Sequence, residues 1–256
     1  MRDLFSLHGK VAIVTGGNGG IGKSIARGLA SVGTNVVIAA RNEVKTTEAV
    51  REIYEEFGTQ VIGVRVDLQQ EVQIRDLAAK TLETFGCIDI LVNNAGVNIR
   101  KFPQDYKAAE WDEVLDTNLR GAFLCSQAVY PAMKTVGGGK IINIGSMTSI
   151  FAGAKLAPYT ASKGGIVQLT RSLAVAWALD NIQVNAILPG FINTDMTRQA
   201  KKELSGLDEH VINRTPVGRW GEPDELAGVA IFLASRAADF VTGVALPVDG
   251  GFSVML

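Results

Sequence analysis

Short apolar runs alternate with longer amphipathic segments along the whole chain. The runs are Val11–Val14, Val36–Ala40, Val61–Val66, Ile88–Val92, Ile141–Ile144, Ile182–Leu188 and Val244–Val248, each rich in Val and Ile. Short runs this rich in Val and Ile suit strands covered on both faces, as in parallel sheets. Between them, Ile21–Val32, Val44–Phe57 and Val72–Phe85 place apolar residues three and four apart, the repeat of a helix burying one face. Strand alternating with helix predicts right-handed βαβ crossovers and one doubly wound parallel sheet, an α/β fold. No repeat, low-complexity tract or linker breaks the pattern, so residues 1–256 are expected to form a single domain. Within it, Phe191 to Trp220 is long and polar, with five Lys/Arg and four Asp/Glu. This segment, 191–220, is expected to lie over the sheet edge as a substrate-binding lid.

Composition narrows the function. A net charge of −1 and a pI near 6.2 offer no electrostatic reason to bind nucleic acid or an anionic membrane. The cysteines, Cys87 and Cys125, form no CxxC pair and suit a reducing compartment, so a cytoplasmic location is expected. Met1 to Lys10 holds no apolar stretch of signal-peptide length, and Val11–Val14 is too short to cross a bilayer. With only His8 and His210 available, a histidine-rich metal site is not expected. Neither lies near a Gly-x-Ser-x-Gly elbow, which argues against a Ser-His-Asp hydrolase.

The candidate chemistry sits at the ends of the expected strands. The first strand runs into Thr15-Gly16-Gly17-Asn18-Gly19-Gly20-Ile21-Gly22, spaced Gly-x-x-x-Gly-x-Gly at Gly16, Gly20 and Gly22. Glycines between a strand and a helix let the backbone approach a pyrophosphate resting on the helix N-terminus; the alternative is a merely structural turn. The second strand ends Ala39-Ala40-Arg41-Asn42. An acidic residue here would take a ribose 2′-hydroxyl, whereas arginine accommodates a 2′-phosphate. Ala40 in the acidic position and Arg41 after it predict NADP(H), with NAD(H) still accommodated; the alternatives are a solvated Arg41 and a ribose contact from Glu43. Asp67-Leu68 ends the third strand near the adenine edge. Asn93-Asn94-Ala95-Gly96 ends the fourth, where amides pack beside the cofactor or simply tie strands together. Asn118 falls inside a long helical segment and reads equally as a satisfied buried amide.

The fifth strand, Lys140 to Ile144, delivers Gly145 and Ser146 to the same edge, and Tyr159 opens the next helix as Tyr159-Thr160-Ala161-Ser162-Lys163. Tyrosine and lysine four apart share a helical face. Bringing a phenol from a pKa of about 10 to neutrality takes about 3 units, roughly 4 kcal/mol. A positive charge about 5 Å away at an effective dielectric of about 20 supplies roughly 3 kcal/mol. Lys163 is therefore expected to do most of the acidifying, with a bound cofactor's charge completing it.

Taken together, these motifs resemble the short-chain dehydrogenase/reductase family, in its short single-domain branch, over nearly the full length. The resemblance rests on Thr15-Gly16-x-x-x-Gly20-x-Gly22, Asp67, Asn93-Asn94-Ala95-Gly96, Asn118, Ser146, Tyr159-x-x-x-Lys163, Pro189-Gly190 and Val248-Asp249-Gly250-Gly251. It implies a Rossmann-type doubly wound parallel seven-stranded sheet flanked by helices. It also implies an NAD(P)H-dependent interconversion of a secondary alcohol and a ketone. Tyr159 would be the general acid/base and Ser146 would hold the substrate oxygen. Lys163 would bind the nicotinamide ribose and lower the tyrosine pKa, and Asn118 would position a relay water. The cofactor would lie along Gly16, Asn18, Gly19, Gly20, Ile21, Gly22, Arg41, Asn42, Asp67, Leu68, Asn94, Ala95 and Gly96. Tyr159 and Lys163 would complete that track, with Pro189, Gly190, Ile192 and Thr194 against nicotinamide and its carboxamide. The family further implies a homotetramer, with the long helices around Asn118 and Tyr159 at one interface.

Within the family, closer similarity is to gluconate and deoxygluconate dehydrogenases. It is carried by Ile99-Arg100-Lys101, Arg214-Thr215-Pro216 and Gly218-Arg219-Trp220-Gly221. Arg100 or Lys101 would then receive a sugar-acid carboxylate, the alternative being a solvated charged turn. The spacing from Gly96 to this pair is a residue longer than in those relatives. The rival within the family is a 3-oxoacyl carrier-protein reductase, which needs basic residues at the site mouth. The helix ends Thr135–Gly139 and Ala178–Asn181 carry none. A reading from another class is a non-catalytic dinucleotide-binding sensor, against which the retained Asn118, Ser146, Tyr159 and Lys163 argue. An epimerase or dehydratase of the longer branch needs more C-terminal substrate domain than the chain provides.

Overall fold

The apolar runs become seven parallel strands of one sheet: β1 (Val11–Thr15), β2 (Asn35–Ala40), β3 (Val61–Arg65), β4 (Ile90–Asn93), β5 (Gly139–Ile144), β6 (Ile182–Pro189) and β7 (Ala245–Val248). The computed structural model describes residues 4–255, so the first three residues and the last of the expected domain lie outside it. Spatial order is β3-β2-β1-β4-β5-β6-β7, so the winding reverses between β1 and β4. A reversal of this kind opens a crevice at the carboxyl ends of the strands, where ligands of open α/β sheets bind. Register is continuous across the reversal, with Ile13 opposite Val37 on one side and Leu91 on the other.

The helices are α1 (Gly20–Ser31), α2 (Glu43–Phe57), α3 (Glu71–Phe85), α4 (Ala108–Leu115), α5 (Gly121–Thr135), α6 (Ala157–Trp177), α7 (Asp195–Glu203), α8 (Leu207–Arg214) and α9 (Ala227–Ala234). On one face, Ile25 and Leu29 of α1, Ile53 of α2 and Leu233 of α9 close over Val14, Ile38 and Val92. On the other, Ile74 and Leu77 of α3, Val129 and Met133 of α5 and Leu173 of α6 close over Ile13, Val37 and Leu91. Alternate strand residues thus feed opposite cores, which is why the runs are apolar on both faces and do not alternate with polar positions. Each fully buried Leu or Ile contributes about 1.5–3 kcal/mol relative to exposure. A third, smaller cluster of Met147, Val167, Leu188 and Phe252 lies beneath Phe191, where the polar segment leaves the sheet.

Two expectations shift. Strand β4 starts at Ile90 rather than Ile88; the Asp89 backbone donates to the Val11 carbonyl at 3.0 Å and accepts from the Lys140 amide at 2.9 Å, and its carboxylate accepts from the Val11 amide at 3.0 Å and pairs with Lys10 at 2.8 Å. Ile88 is buried without being paired, so its apolarity reports the core and not the strand. The long helical segment around Asn118 is broken by one turn of π-helix, Asp116–Arg120, between α4 and α5. A π-turn inserts a residue into the helical repeat and commonly marks a functional position.

Candidate active site

The glycine turn is shaped by what packs behind it. A Cβ at Gly22 would stand 2.3 Å from the Asn94 side-chain nitrogen and 2.4 Å from the Gly16 carbonyl oxygen, so only glycine fits. Asn94 Nδ2 in turn donates to the carbonyls of Thr15 (2.9 Å) and Gly16 (3.2 Å). The Thr15 hydroxyl accepts from the amides of Asn94 and Ala95 at 3.0 and 3.1 Å. The Asn94 side chain therefore stitches β1 to β4 at the winding reversal, the strand-tying role, and leaves backbone at Ala95 and Gly96 along the cleft. Asn18 donates to Thr46 Oγ1 at 3.0 Å and to the Asn42 carbonyl at 3.3 Å. Asn42 itself caps α2, its Oδ1 accepting from the Lys45 amide at 3.0 Å.

These ties leave an elongated cleft of about 590 Å³ along the strand ends. Its wall carries Gly16, Asn18, Gly19, Gly20, Ile21, Arg41, Asn42, Asp67, Leu68, Asn94, Ala95, Gly96, Ser146, Tyr159, Lys163, Pro189, Gly190, Ile192 and Thr194. Of the expected cofactor residues only Gly22 is absent from the wall, because its tight packing serves the turn from behind. The cleft fits a dinucleotide at three points. The N-terminus of α1 opens at Gly19 with no side-chain cap and no acid in its first turn, leaving amide donors for a phosphate. Arg41 lines the cleft beyond Ala40 and, among the described residues, makes no ion pair. Asp67 turns back on its own loop, accepting from the Gln69 amide at 3.1 Å, beside Leu68 at the β3 end.

At the far end stand Ser146, Tyr159 and Lys163. Ser146 leaves β5 in extended geometry, and its hydroxyl accepts from the Thr148 amide at 3.1 Å. Lys163, 4 % exposed, donates from Nζ to the Ile144 carbonyl at 2.7 Å and lies 5.7 Å from the centre of the Tyr159 ring. One turn of α6 thus places both groups at the carboxyl end of β5, as the four-residue spacing predicts. The electrostatics differ from the sequence expectation. Burial raises the Tyr159 phenol above its ordinary value, and the Ser146 hydroxyl and Arg100 guanidinium, which favour the anion, only partly offset that. Burial also pulls Lys163 down to about 8. Protein groups alone therefore hold the phenol as an acid, because desolvation at this depth outweighs the nearby positive charge.

Asn118, buried in the π-turn, makes a two-way bond with the Val97 backbone, accepting at 2.8 Å and donating at 2.9 Å. It also donates to Ser162 Oγ at 3.2 Å, and that hydroxyl donates to the Tyr159 carbonyl at 2.7 Å. Its side chain is satisfied by protein, the satisfied-amide alternative, while joining the loop after β4 to the helix that carries Tyr159.

The segment after β6 folds over this end. Pro189 ends the strand, and Gly190 packs so closely on Asp249 that a Cβ would meet its Cα at 2.6 Å. Thr194 caps α7 and faces Gly20 across the cleft. Ile192 bridges to Gly221, closing the excursion that contains α7 and α8. Phe191 stacks edge-on against both Trp220 and Phe252, and the Lys201 ammonium lies 3.9 Å over the Trp220 ring. Arg100 reaches into the cleft and meets Glu203 of α7 at 3.7 Å, whereas Lys101 turns away to Glu110 at 2.5 Å.

Residues 16–253 match the model of a family described as Enoyl-(Acyl carrier protein) reductase. The chain is 39% identical over 254 residues to a gluconate 5-dehydrogenase of Gluconobacter oxydans, covering 99% of this chain and 98% of the relative. It is 41% identical over 255 residues to a 5-keto-D-gluconate 5-reductase of Escherichia coli K12, covering 99% of each. The fold superimposes with a TM-score of 0.94 on the crystal structure of a gluconate 5-dehydrogenase from Burkholderia cenocepacia in complex with NADP and tartrate, at 40% identity and 99% coverage of both chains. The chain belongs to the short-chain dehydrogenase/reductase family.

Two groups of residues were not singled out one by one from the sequence, although some lie in stretches it did mark. Thr148 and Leu156 line the cleft from loops with no periodic signal of their own, and Phe191, Met196 and Thr197 line it from within the 191–220 segment expected as a lid. For Thr148 the clue was proximity to Ser146 in the sequence; for Phe191, Met196 and Thr197 it was the long polar segment after the sixth strand. The second group lies behind the site. Asn93 donates to Asn143 at 2.9 Å and Ser126 at 3.1 Å, and Asn143 donates to Thr170 at 2.9 Å, a buried polar chain from β4 through β5 to α6. Asn93 takes the strand-tying alternative of its motif, and Asn143, a polar residue inside an apolar run, was the signal for the rest.

Proposed function

We propose that this dehydrogenase/reductase uses NADP(H) to interconvert a secondary alcohol and a ketone on a sugar acid of the gluconate type. The observation that carries the substrate class is the Arg100 guanidinium, turned into the cleft near Tyr159 while its neighbour Lys101 is held by Glu110. A carboxylate-bearing substrate lying along the cleft meets Arg100 at one end and presents its carbonyl to Ser146 and Tyr159 at the other. The Burkholderia enzyme's complex with NADP and tartrate, a hydroxy acid, supports the same reading.

When bound, the dinucleotide supplies a hydride to the carbonyl carbon or takes one from the carbinol carbon. Gly19, Gly20 and Ile21 offer amides to its phosphates, and Arg41 receives the 2′-phosphate, a charge-assisted contact worth about 1.5–3 kcal/mol. Lys163 holds the nicotinamide ribose. Tyr159, kept protonated by burial, gives its proton to the substrate oxygen during reduction and regains it during oxidation. Ser146 hydrogen-bonds the same oxygen and stabilises the charge that develops there. Asn118, set in the π-turn, positions the relay water. Residues 191–220, bridged at Ile192 and Gly221, act as the lid that excludes bulk water, and Glu203 yields Arg100 to the incoming carboxylate. Four copies assemble through α5 and α6, whose exposed Phe123 and Val175 offer apolar contact.

A panel of keto acids, uncharged ketoses and a 3-oxoacyl thioester, followed by the near-ultraviolet absorbance of NADPH and NADH, tests this. Turnover of 5-keto-D-gluconate with NADPH is expected. Preference for the thioester, or turnover of no compound at all, would replace the reading with the carrier-protein reductase or the sensor respectively.

A further inference from the structure

Arg100 stands on an irregular stretch between β4 and the single turn at Pro103–Asp105, with no helix or strand to fix its backbone. A long side chain on such a loop loses much of its freedom when it binds, unless something holds the loop beforehand. Tyr106 does so. Its hydroxyl donates to the Ile99 carbonyl at 2.5 Å and accepts from the Lys101 amide at 3.4 Å, the two backbone groups that flank Arg100. The same oxygen lies 3.2 Å from the Lys155 carbonyl, on the loop that leads into α6 and Tyr159. One phenol therefore brackets Arg100, its single proton held by the nearer Ile99 carbonyl, and stands beside the loop on the catalytic side of the cleft. The charges sort themselves accordingly. Lys101 is drawn outward to Glu110 of α4, and Lys155 lies over the Phe102 ring at 4.6 Å, so Arg100 is the basic group of this loop that faces the cleft. Tyr106 is itself only partly buried and lies outside the cleft wall, so its hydroxyl is not a substrate contact.

We propose that Tyr106 is a positioning residue that holds Arg100 in place for the substrate carboxylate and so sets the preference for anionic over uncharged substrates. This rests on the role given to Arg100 under Proposed function. Tyr106→Phe keeps the ring and removes the hydroxyl. The expected result is a KM for 5-keto-D-gluconate and an inhibition constant for tartrate raised about tenfold. The kcat, the NADPH affinity and the inhibition constant of an uncharged polyol should stay within about twofold. Because Tyr106 acts through Arg100, adding Tyr106→Phe to Arg100→Ala should weaken tartrate no further than Arg100→Ala alone. Equal weakening of charged and uncharged ligands by Tyr106→Phe, or additive losses in the double variant, would overturn the proposal while leaving Arg100 as the carboxylate group. An Arg100→Ala variant that does not distinguish ligand charge would instead overturn the carboxylate reading and this proposal with it. Circular dichroism and melting of each variant separate these outcomes from loss of fold, and Tyr106→Trp, which offers a donor in a shifted place, should not restore tartrate binding.

Discussion

Tyr159 meets two opposing influences, and the balance sets a pH dependence. Burial favours the neutral phenol, and the Ser146 hydroxyl and then the Arg100 guanidinium favour the anion. Oxidation of an alcohol consumes the phenolate, so its kcat/KM should rise with pH, while kcat/KM for reduction should fall. Arg100→Ala removes positive charge near the phenol and should displace the oxidation limb to higher pH, measured in parallel with wild type at fixed ionic strength. Tyr159→Phe should cut turnover by a factor of about 10²–10⁴ in both directions and leave NADPH binding largely intact; wild-type turnover in that variant would dismiss the mechanism. Lys163 carries a different signature. Its pKa is lowered from 10.5 to about 8, so below about 8 the folded chain bears the full cost of a buried ammonium. Between those values the unfolded chain binds more protons, and this group's contribution to stability rises with pH. The cost is roughly 3 kcal/mol, offset in a Lys163→Met variant by an orphaned Ile144 carbonyl worth about 1–3 kcal/mol. Lys163→Met should therefore melt within a few degrees of wild type at pH 7 while losing activity, which a thermal melt beside an assay reveals.

At the scale of elements, the glycine turn and the segment after β6 behave differently because one is packed from behind and the other mostly from one side. Gly22→Ala would drive a methyl into Asn94 and Gly16 at the junction of β1 and β4. Overpacking of this kind costs about 1–3 kcal/mol, and both the melting temperature and NADPH affinity should drop. Trp220 is 6 % exposed, yet its neighbours Phe191 and Lys201 belong to the lid. Truncating a buried Trp typically costs about 3–5 kcal/mol; here the loss should be spent on local opening. Trp220→Ala is expected to speed proteolysis between Asp195 and Arg214 and to raise substrate KM, with a smaller fall in melting temperature than Leu29→Ala. A uniform fall would show instead that α7 and α8 unfold only with the core.

For the whole molecule, the winding reversal between β1 and β4 explains why residues from Gly16 to Thr194 meet in one cleft. Parallel strands deliver every βα loop to the same edge, so chemistry dispersed along the chain converges there. The surface left over is informative too. Phe123 of α5 is 39% exposed and Val175 of α6 is 82% exposed, on helices that cover one face of the sheet together with α3. Sedimentation at micromolar concentration should give a four-chain species, and Phe123→Glu with Val175→Glu should shift it to smaller ones. A monomeric wild type would remove the assembly from the proposed function.

The strand positions, the glycine turn, Ser146 and the Tyr159–Lys163 pair were all legible in the chain itself. Each follows from a local rule: apolar runs need two-sided burial, a strand-to-helix turn needs glycine, and residues four apart share a helical face. Tertiary structure decided the rest. It sent Arg100 into the cleft and Lys101 away from it, two adjacent basic residues that no periodicity separates. It converted Asn118 from a misfit in a helix into the buried link of a π-turn, and it placed α7 residues opposite a glycine turn remote in sequence. It also raised the Tyr159 phenol where spacing alone implied a lowered one, because desolvation depends on everything packed around a group and not on the residue four positions away.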